Sequence, residues 1–372
     1  RADFGILSGL IKKFKKDKSL ITKLIVTGSH LSNNFGKTVV EIKNSKIKID
    51  YKVKILKKIN SDSDINKTLS ITLNKFNELF NLLKPNLIIL LGDRYETLGV
   101  AISALNLKIP IAHIHGGEKT TGSVDDIYRH CITKMSNLHF TSNIKYKKRI
   151  NQLGEDPNYI YNVGSLGVEN IKKSKFKSRK DLQRIYSLNK EKKIILVSLH
   201  PETYGFKTNK ILIESTLASL RKLKNFKLIF TSSNADLGGE KFNKEIKKFV
   251  KTNKNSLFLH SLGHENYLSL LKTAELLIGN SSSGIIEAPS LKTPTINIGN
   301  RQNGREKSKS IINCEANTNK ITKAITKGLS KRFYLKKNIF KNPYEKSNTL
   351  DNIYKMIKNL KKNNINKIFF DL

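Results

Sequence analysis

Two groups of side chains in this chain have the types and spacing that proton transfer and anion binding require. The first lies between positions 92 and 130: Gly92-Asp93-Arg94-Tyr95-Glu96, then His113-Ile114-His115-Gly116-Gly117-Glu118, then Asp125-Asp126-Ile127-Tyr128-Arg129-His130. Carboxylates and imidazoles take up and return protons near neutral pH. A double glycine between His115 and Glu118 lets backbone come close to a ligand. The second group comprises His200-Pro201-Glu202-Thr203, Ser232-Ser233-Asn234-Ala235-Asp236, Gly279-Asn280-Ser281-Ser282-Ser283-Gly284 and the run from Gly299 to Arg305. Residues 280–283, ahead of Gly284 and an apolar run, read as a helix N-terminus, where free N–H groups favour phosphate. Ser282 and Ser283 add hydroxyl donors, Glu287 can accept from ribose hydroxyls, and Arg301 is placed to neutralise a diphosphate.

Each cluster also has a plainer reading. Taken alone, Asp93 reads as the N-cap of a helix over 95–105, and Gly116-Gly117 as a turn. Asp125, Arg129 and His130 read equally as a solvated first turn with an i,i+4 ion pair. Ser281 to Ser283 can be simple capping residues. His113 and His115, two apart, would share a strand face and could bind metal. No cysteine or third histidine stands at metal spacing, so a hydrogen-bonding or proton-transfer role ranks above it and no metal is expected. There is no Walker A run, and no G-x-G-x-x-G follows a strand, which argues against a P-loop NTPase and a nicotinamide enzyme.

The position of the clusters along the chain decides between these readings. Short β-rich apolar runs alternate with amphipathic stretches, the pattern of an α/β protein with parallel sheets. Strands are expected at 23–27, 87–91, 109–113, 139–141, 159–163, 194–198, 227–231, 256–259, 276–278 and 293–298. Helices are expected at 68–83, 95–105, 124–135, 209–223 and 347–360, and residues 57–63 as a polar loop. Six polar clusters then fall just past strand ends, where open α/β sheets bind ligands. The strand–helix order restarts after the basic stretch 172–180. The expected domains are 1–172 with the acid–base residues, 173–345 with the anion site, and a tail, 346–372, that packs back on the first domain.

The net charge of +39, from 69 Lys+Arg against 30 Asp+Glu, raises the question of nucleic acid. The lysines are spread along helix-like segments among Asn and Ile, with no RNP-like aromatic motif, zinc-finger spacing or Arg-rich arm, so they read as solvated faces. No apolar run approaches a membrane span, no signal peptide is visible, and two cysteines cannot form a disulfide framework. A cytoplasmic protein without nucleic-acid or membrane partners is expected.

Together the motifs resemble the hydrolysing UDP-N-acetylglucosamine 2-epimerases of sialic- and legionaminic-acid biosynthesis. The matching elements are Arg1-Ala2-Asp3-Phe4, Gly92-Asp93-Arg94, His113 to Glu118, Asp125-Asp126 with Arg129-His130, Ile132-Thr133-Lys134-Met135, His200-Pro201, Asn234-Ala235-Asp236, residues 280–284 with Glu287, and residues 298–305. They run in order over almost the whole chain. The resemblance implies two Rossmann-like domains facing a cleft, a GT-B-like fold. In the family a strand precedes the Arg-Ala-Asp motif, so the first strand is expected to be missing from a chain that begins at Arg1.

The resemblance also implies the reaction. A carboxylate removes the C2 proton of UDP-GlcNAc, UDP leaves, and a 2-acetamidoglycal remains. Water adds at C1 while C2 is reprotonated on the opposite face, giving ManNAc, with no cofactor. Asp93, Glu118, Asp125 and His115 are the implied catalytic set. Some relatives carry a glutamate at the position of His115, so that proton falls to either His115 or Glu118. Arg1, Arg94, Arg129, His130, His200, Asn234, Ser281, Ser282, Ser283, Glu287 and Arg301 would hold the UDP-sugar. A homo-oligomer, dimer or tetramer, is implied. The alternatives are the same reaction on UDP-2,4-diacetamido-2,4,6-trideoxyglucose and a GT-B glycosyltransferase that needs an acceptor.

Overall fold

A computed structural model describes residues 2–32, 39–56, 61–188, 192–202, 206–233, 238–260, 262–360 and 367–372. Arg1, Thr203, Asn234 to Asp236 and most of the Lys/Asn-rich stretch 361–367 lie outside the described residues. The chain divides into two compact units. The first comprises residues 1–119, 124–170 and 344–372, and the second residues 120–123 and 171–343.

In the first unit, β1 (Ile25–Thr27) and β2 (Tyr51–Val53) form a parallel pair. The strands β3 (Ile88–Leu91), β4 (Ile111–Ile114), β5 (Leu138–Thr141) and β6 (Ile160–Asn162) form a parallel sheet in that order. Alternate residues face opposite ways along a strand, and both faces are apolar here. Ile89, Leu91, Ala112, Ile114, Leu138 and Phe140 meet Leu10, Phe14, Leu350 and Ile353 on one side. Ile88, Leu90 and Ile111 meet Phe76, Phe80, Val100 and Ala104 on the other. Each large side chain so buried contributes roughly 1.5–3 kcal/mol. The helices Ala2–Lys16 and Thr349–Lys358, at opposite ends of the sequence, thus cover the same face.

The second unit is one six-stranded parallel sheet of β7 (Lys193–Ser198), β8 (Phe226–Thr231), β9 (Ser256–Leu259), β10 (Leu276–Gly279), β11 (Thr295–Ile298) and β12 (Ile311–Cys314). Its order, β9-β8-β7-β10-β11-β12, is the 3-2-1-4-5-6 order of dinucleotide-binding sheets. The order reverses between β7 and β10, and at that switch point the adjacent loops diverge and leave a crevice. β7 and β10 approach closely there, since a Cβ added to Gly279 would lie 1.9 Å from the Ser198 carbonyl oxygen.

Most expected elements occur within a few residues of their expected ends, with three corrections. Residues 62 and 63 are helix, not loop. Ser61 precedes the helix Asp62–Leu83, and its N–H and hydroxyl both donate to Asp64. β2 and β12 were not expected: Tyr51-Lys52-Val53 is too short to show alternation, and Ile311-Ile312-Asn313-Cys314 mixes polar with apolar. Parallel pairing to β1 and β11 makes them strands. The lysines of the helix Gly239–Thr252 lie on its solvated side, for Lys241, Lys244, Lys247, Lys248 and Lys251 are exposed while Phe242, Ile246 and Phe249 are buried. Among the described residues no helix is long and apolar enough to cross a membrane.

Candidate functional site

The first unit gathers its acidic and imidazole groups at the carboxyl ends of β3, β4 and β5. Asp93 follows β3, and its carboxylate pairs with the guanidinium of Arg129 from the helix Asp125–Met135. Arg129 is 1% exposed and bridges three partners, also donating to Asp126 Oδ1 at 3.2 Å and to the Glu118 carbonyl oxygen at 2.9 Å. Asp93 is therefore held by an ion pair, and Arg94 occupies the N-cap position of the helix Tyr95–Asn106. Asp125 stands half-buried in the first turn, and His130 Nε2 lies 3.9 Å from Asp126. Arg94 pairs with Glu96 at 3.2 Å.

The turn after β4 is built on backbone conformations that a strand cannot hold. His115 has φ +68° and lies beyond the strand, so His113 and His115 do not share a strand face. Gly117 has φ +73°, and a Cβ there would come within 2.7 Å of the Tyr146 carbonyl oxygen, so only glycine fits. The turn brings Glu118 back under His115: His115 Nδ1 meets Glu118 Oε1 at 2.8 Å, and the Ser142 hydroxyl donates to the same oxygen at 2.7 Å. Arg149 donates to the Gly117 carbonyl oxygen at 2.5 Å. Exposure separates the roles. The side chains of Glu118 and Arg129 are 2% and 1% exposed, those of His115 and Asp93 10% and 26%. Asp93 thus keeps contact with solvent, whereas His115 is itself largely buried, its Nε2 included.

His113 points the other way, to the Gly92 carbonyl oxygen at 2.7 Å and the Thr133 hydroxyl at 3.2 Å, tying the Asp93 loop to the sheet. Burial pushes its pKa down to about 3 from 6.5. Burial also lowers His139 on β5, against the opposing pull of Glu155. An unfolded chain protonates these imidazoles near 6.5 while the native His113 stays neutral, so the unfolded state binds more protons below 6.5. Stability is complete above that pH and falls as the pH drops toward 3. From His113 alone the expected loss by pH 5 is about 2 kcal/mol. Urea unfolding between pH 7.5 and 5 measures it, and His113→Gln should lower the slope by one proton's worth.

In the second unit the polar groups surround the switch point. His200, after β7, and Asn280, after β10, are joined twice: His200 N–H donates to Asn280 Oδ1 and Asn280 Nδ2 to the His200 carbonyl oxygen, both at 2.8 Å. Ser281, Ser282 and Ser283 follow. The expected helix N-terminus is a single turn, Ser283–Ile286, so its dipole is small and its N–H groups and hydroxyls carry any anion binding. Arg301 Nη1 reaches the Asn280 carbonyl oxygen at 3.4 Å. Glu202 Oε1 accepts from the N–H groups of Asn300 and Arg301 at 2.6 and 3.0 Å, which holds that loop in place. Glu287 is 9% exposed. Tyr267, its hydroxyl pushed above the usual range by burial, lies against Ser283 and Ser281. Residues 120–123 belong to this unit, with Thr121 N–H donating to the Asn303 carbonyl oxygen at 3.1 Å.

Of the residues expected from sequence, Asp93, Arg94, His115, Glu118, Asp125, Arg129 and His130 belong to one unit and His200, Ser281, Ser282, Ser283, Glu287 and Arg301 to the other. Within each unit the structure brings them to neighbouring strand ends. It adds Ser142, Arg149 and Tyr267, which no sequence pattern marks. Ser142 directly follows β5, and the strand-end rule applied to that uncharged position would have found it.

Residues 12–358 match the family model described as UDP-N-acetylglucosamine 2-epimerase. A GDP/UDP-N,N'-diacetylbacillosamine 2-epimerase (hydrolyzing) of Campylobacter jejuni subsp. jejuni serotype O:2 is 42% identical over 334 residues, 90% of this chain and 86% of that protein. The polysialic acid biosynthesis protein P7 of Escherichia coli is 38% identical over 375 residues, 100% of this chain and 95% of its own length. In fold, the chain is similar to the crystal structure of UDP-GlcNAc 2-epimerase from Neisseria meningitidis bound to UDP-GlcNAc, with a TM-score of 0.81 at 17% identity, covering 97% of this chain and 98% of that one.

Proposed function

The chain belongs to the UDP-N-acetylglucosamine 2-epimerase family, and from that premise we propose that it is a hydrolysing 2-epimerase acting on a UDP-linked 2-acetamido sugar. The observation that carries this reading is the cluster at the ends of β3 to β5, where Asp93 keeps contact with solvent and His115 has an Nε2 without a partner among the described residues, each held by a buried neighbour. Epimerisation at C2 needs one group to remove a proton and another to return one to the opposite face. Asp93 takes the C2 proton, the C1–O bond to UDP breaks, and a C1=C2 double bond forms. Water then adds its oxygen to C1, and a proton reaches C2 from the other side. Asp93 and His115 are the acid–base pair, with Asp125 near by; Glu118 orients His115, and Arg129 holds Asp93. Ser281, Ser282, Ser283, Arg301 and His200 bind the diphosphate and Glu287 the ribose. Two free cysteines, Cys131 and Cys314, fit a reducing cytoplasm.

UDP-GlcNAc is the simplest substrate with this chemistry. The 42% identity to the Campylobacter enzyme favours instead UDP-2,4-diacetamido-2,4,6-trideoxyglucose. Both donors, each also with GDP in place of UDP, are to be incubated in D2O and followed by NMR. The expected result is nucleotide release without any acceptor and one deuterium at C2 of the free sugar. Release that requires an acceptor, or product with no deuterium at C2, would overturn the reading in favour of a glycosyltransferase or a plain hydrolase.

A further inference from the structure

We propose that Ser142 is a positioning residue for proton transfer, acting through Glu118 on His115; this rests on the acid–base reading of His115 given above. Ser142 is 1% exposed, and its hydroxyl donates to the carboxylate oxygen that also meets His115 Nδ1. A buried carboxylate that swung away from this arrangement would leave a hydroxyl and an imidazole N–H unpaired, which is costly in a dry site. Ser142 therefore fixes the direction in which Glu118 faces. Glu118, so fixed, accepts the Nδ1–H of His115 and selects that tautomer, which leaves Nε2 as the unpaired acid–base atom. Nε2 is buried and has no hydrogen-bond partner among the described residues.

The fold explains why such a device is needed. His115 lies beyond the end of β4 at φ +68°, so the strand's pleat does not aim its ring. Its backbone N–H instead donates to the Phe140 carbonyl oxygen of β5 at 2.9 Å. The same strand, two residues on, delivers Ser142. One neighbouring strand thus anchors both the backbone of His115 and, through Glu118, its ring.

The test compares wild type, Ser142→Ala and Ser142→Thr in nucleotide release and in 15N NMR of the histidine rings, with His115 assigned through His115→Gln. Ser142→Ala should lower kcat about tenfold or more, the worth of one hydrogen bond to a charged group, with KM within about twofold. Ser142→Thr keeps the hydroxyl and should restore most of kcat. In wild type the His115 ring should show protonated Nδ1 and bare Nε2, and in Ser142→Ala a mixture of tautomers. An unchanged tautomer in Ser142→Ala overturns the proposal whatever the turnover, as does an unchanged kcat. If no donor is turned over by wild type but the tautomer shifts, the substrate reading fails and the positioning role stands. Should Ser142→Ala lose its native circular dichroism, Ser142→Cys, close in volume and a weak donor, takes its place under the same criteria.

Discussion

Asp93→Asn is expected to reduce nucleotide release and deuterium uptake at C2 together, by about a thousandfold or more. An amide cannot accept the C2 proton, and removing a positioned general base costs roughly a hundredfold to ten-thousandfold. The substitution is nearly isosteric, so KM should change little. It does place an NH2 group where a carboxylate now faces the Arg129 guanidinium, and a modest loss of stability should accompany it. Thermal melting of the variant separates the two effects: a folded enzyme without turnover supports the catalytic assignment. A fall of less than tenfold in a folded variant would remove Asp93 from the acid–base set.

The largest expected effect on folding comes from Arg129→Met. Arg129 is a fully buried cation spanning Asp93, Asp126 and the Glu118 main chain. Breaking a buried pair from one side costs about 3–5 kcal/mol, because the remaining charges lose their partner in a poorly solvated place. Asp93 and Asp126 keep some solvent, at 26% and 17% side-chain exposure, so the low end, about 3 kcal/mol, is expected. Urea unfolding at pH 7.5 measures it. Lysine has one nitrogen where three acceptors must be met, so Arg129→Lys should recover only part of the loss. A methionine variant within about 1 kcal/mol of wild type would show that the bridge is not structural.

The alternation of apolar runs with amphipathic stretches was enough to place ten strands and five helices near their positions, because both periodicities are local properties of the chain. The placement of the candidate site residues at strand ends was legible to the same extent. Asp93, His115, Glu118, Ser282 and Arg301 were identified because they directly follow apolar strands, and the carboxyl ends of parallel strands are where ligand groups collect. Their partners were less legible. Arg129 looked like a surface helix residue with an i,i+4 acid, and an isolated helix would have made that pair. In the fold, Asp93, 36 positions away in sequence, also meets the guanidinium.

The residue types thus determined by themselves that this is a parallel α/β protein, that its reactive groups stand at strand ends, and which family its motifs match. Tertiary structure alone decided which of those groups keep contact with solvent and which are spent on one another. Glu118 and His115 look equally able to move a proton when read as sequence. The turn at Gly117 and the approach of Ser142, 24 positions further on, give one Glu118 oxygen two partners and leave His115 Nε2 without one among the described residues. That choice depends on the register of β3, β4 and β5, which brings distant positions within hydrogen-bond reach, and periodicity along a chain carries no information about such pairing.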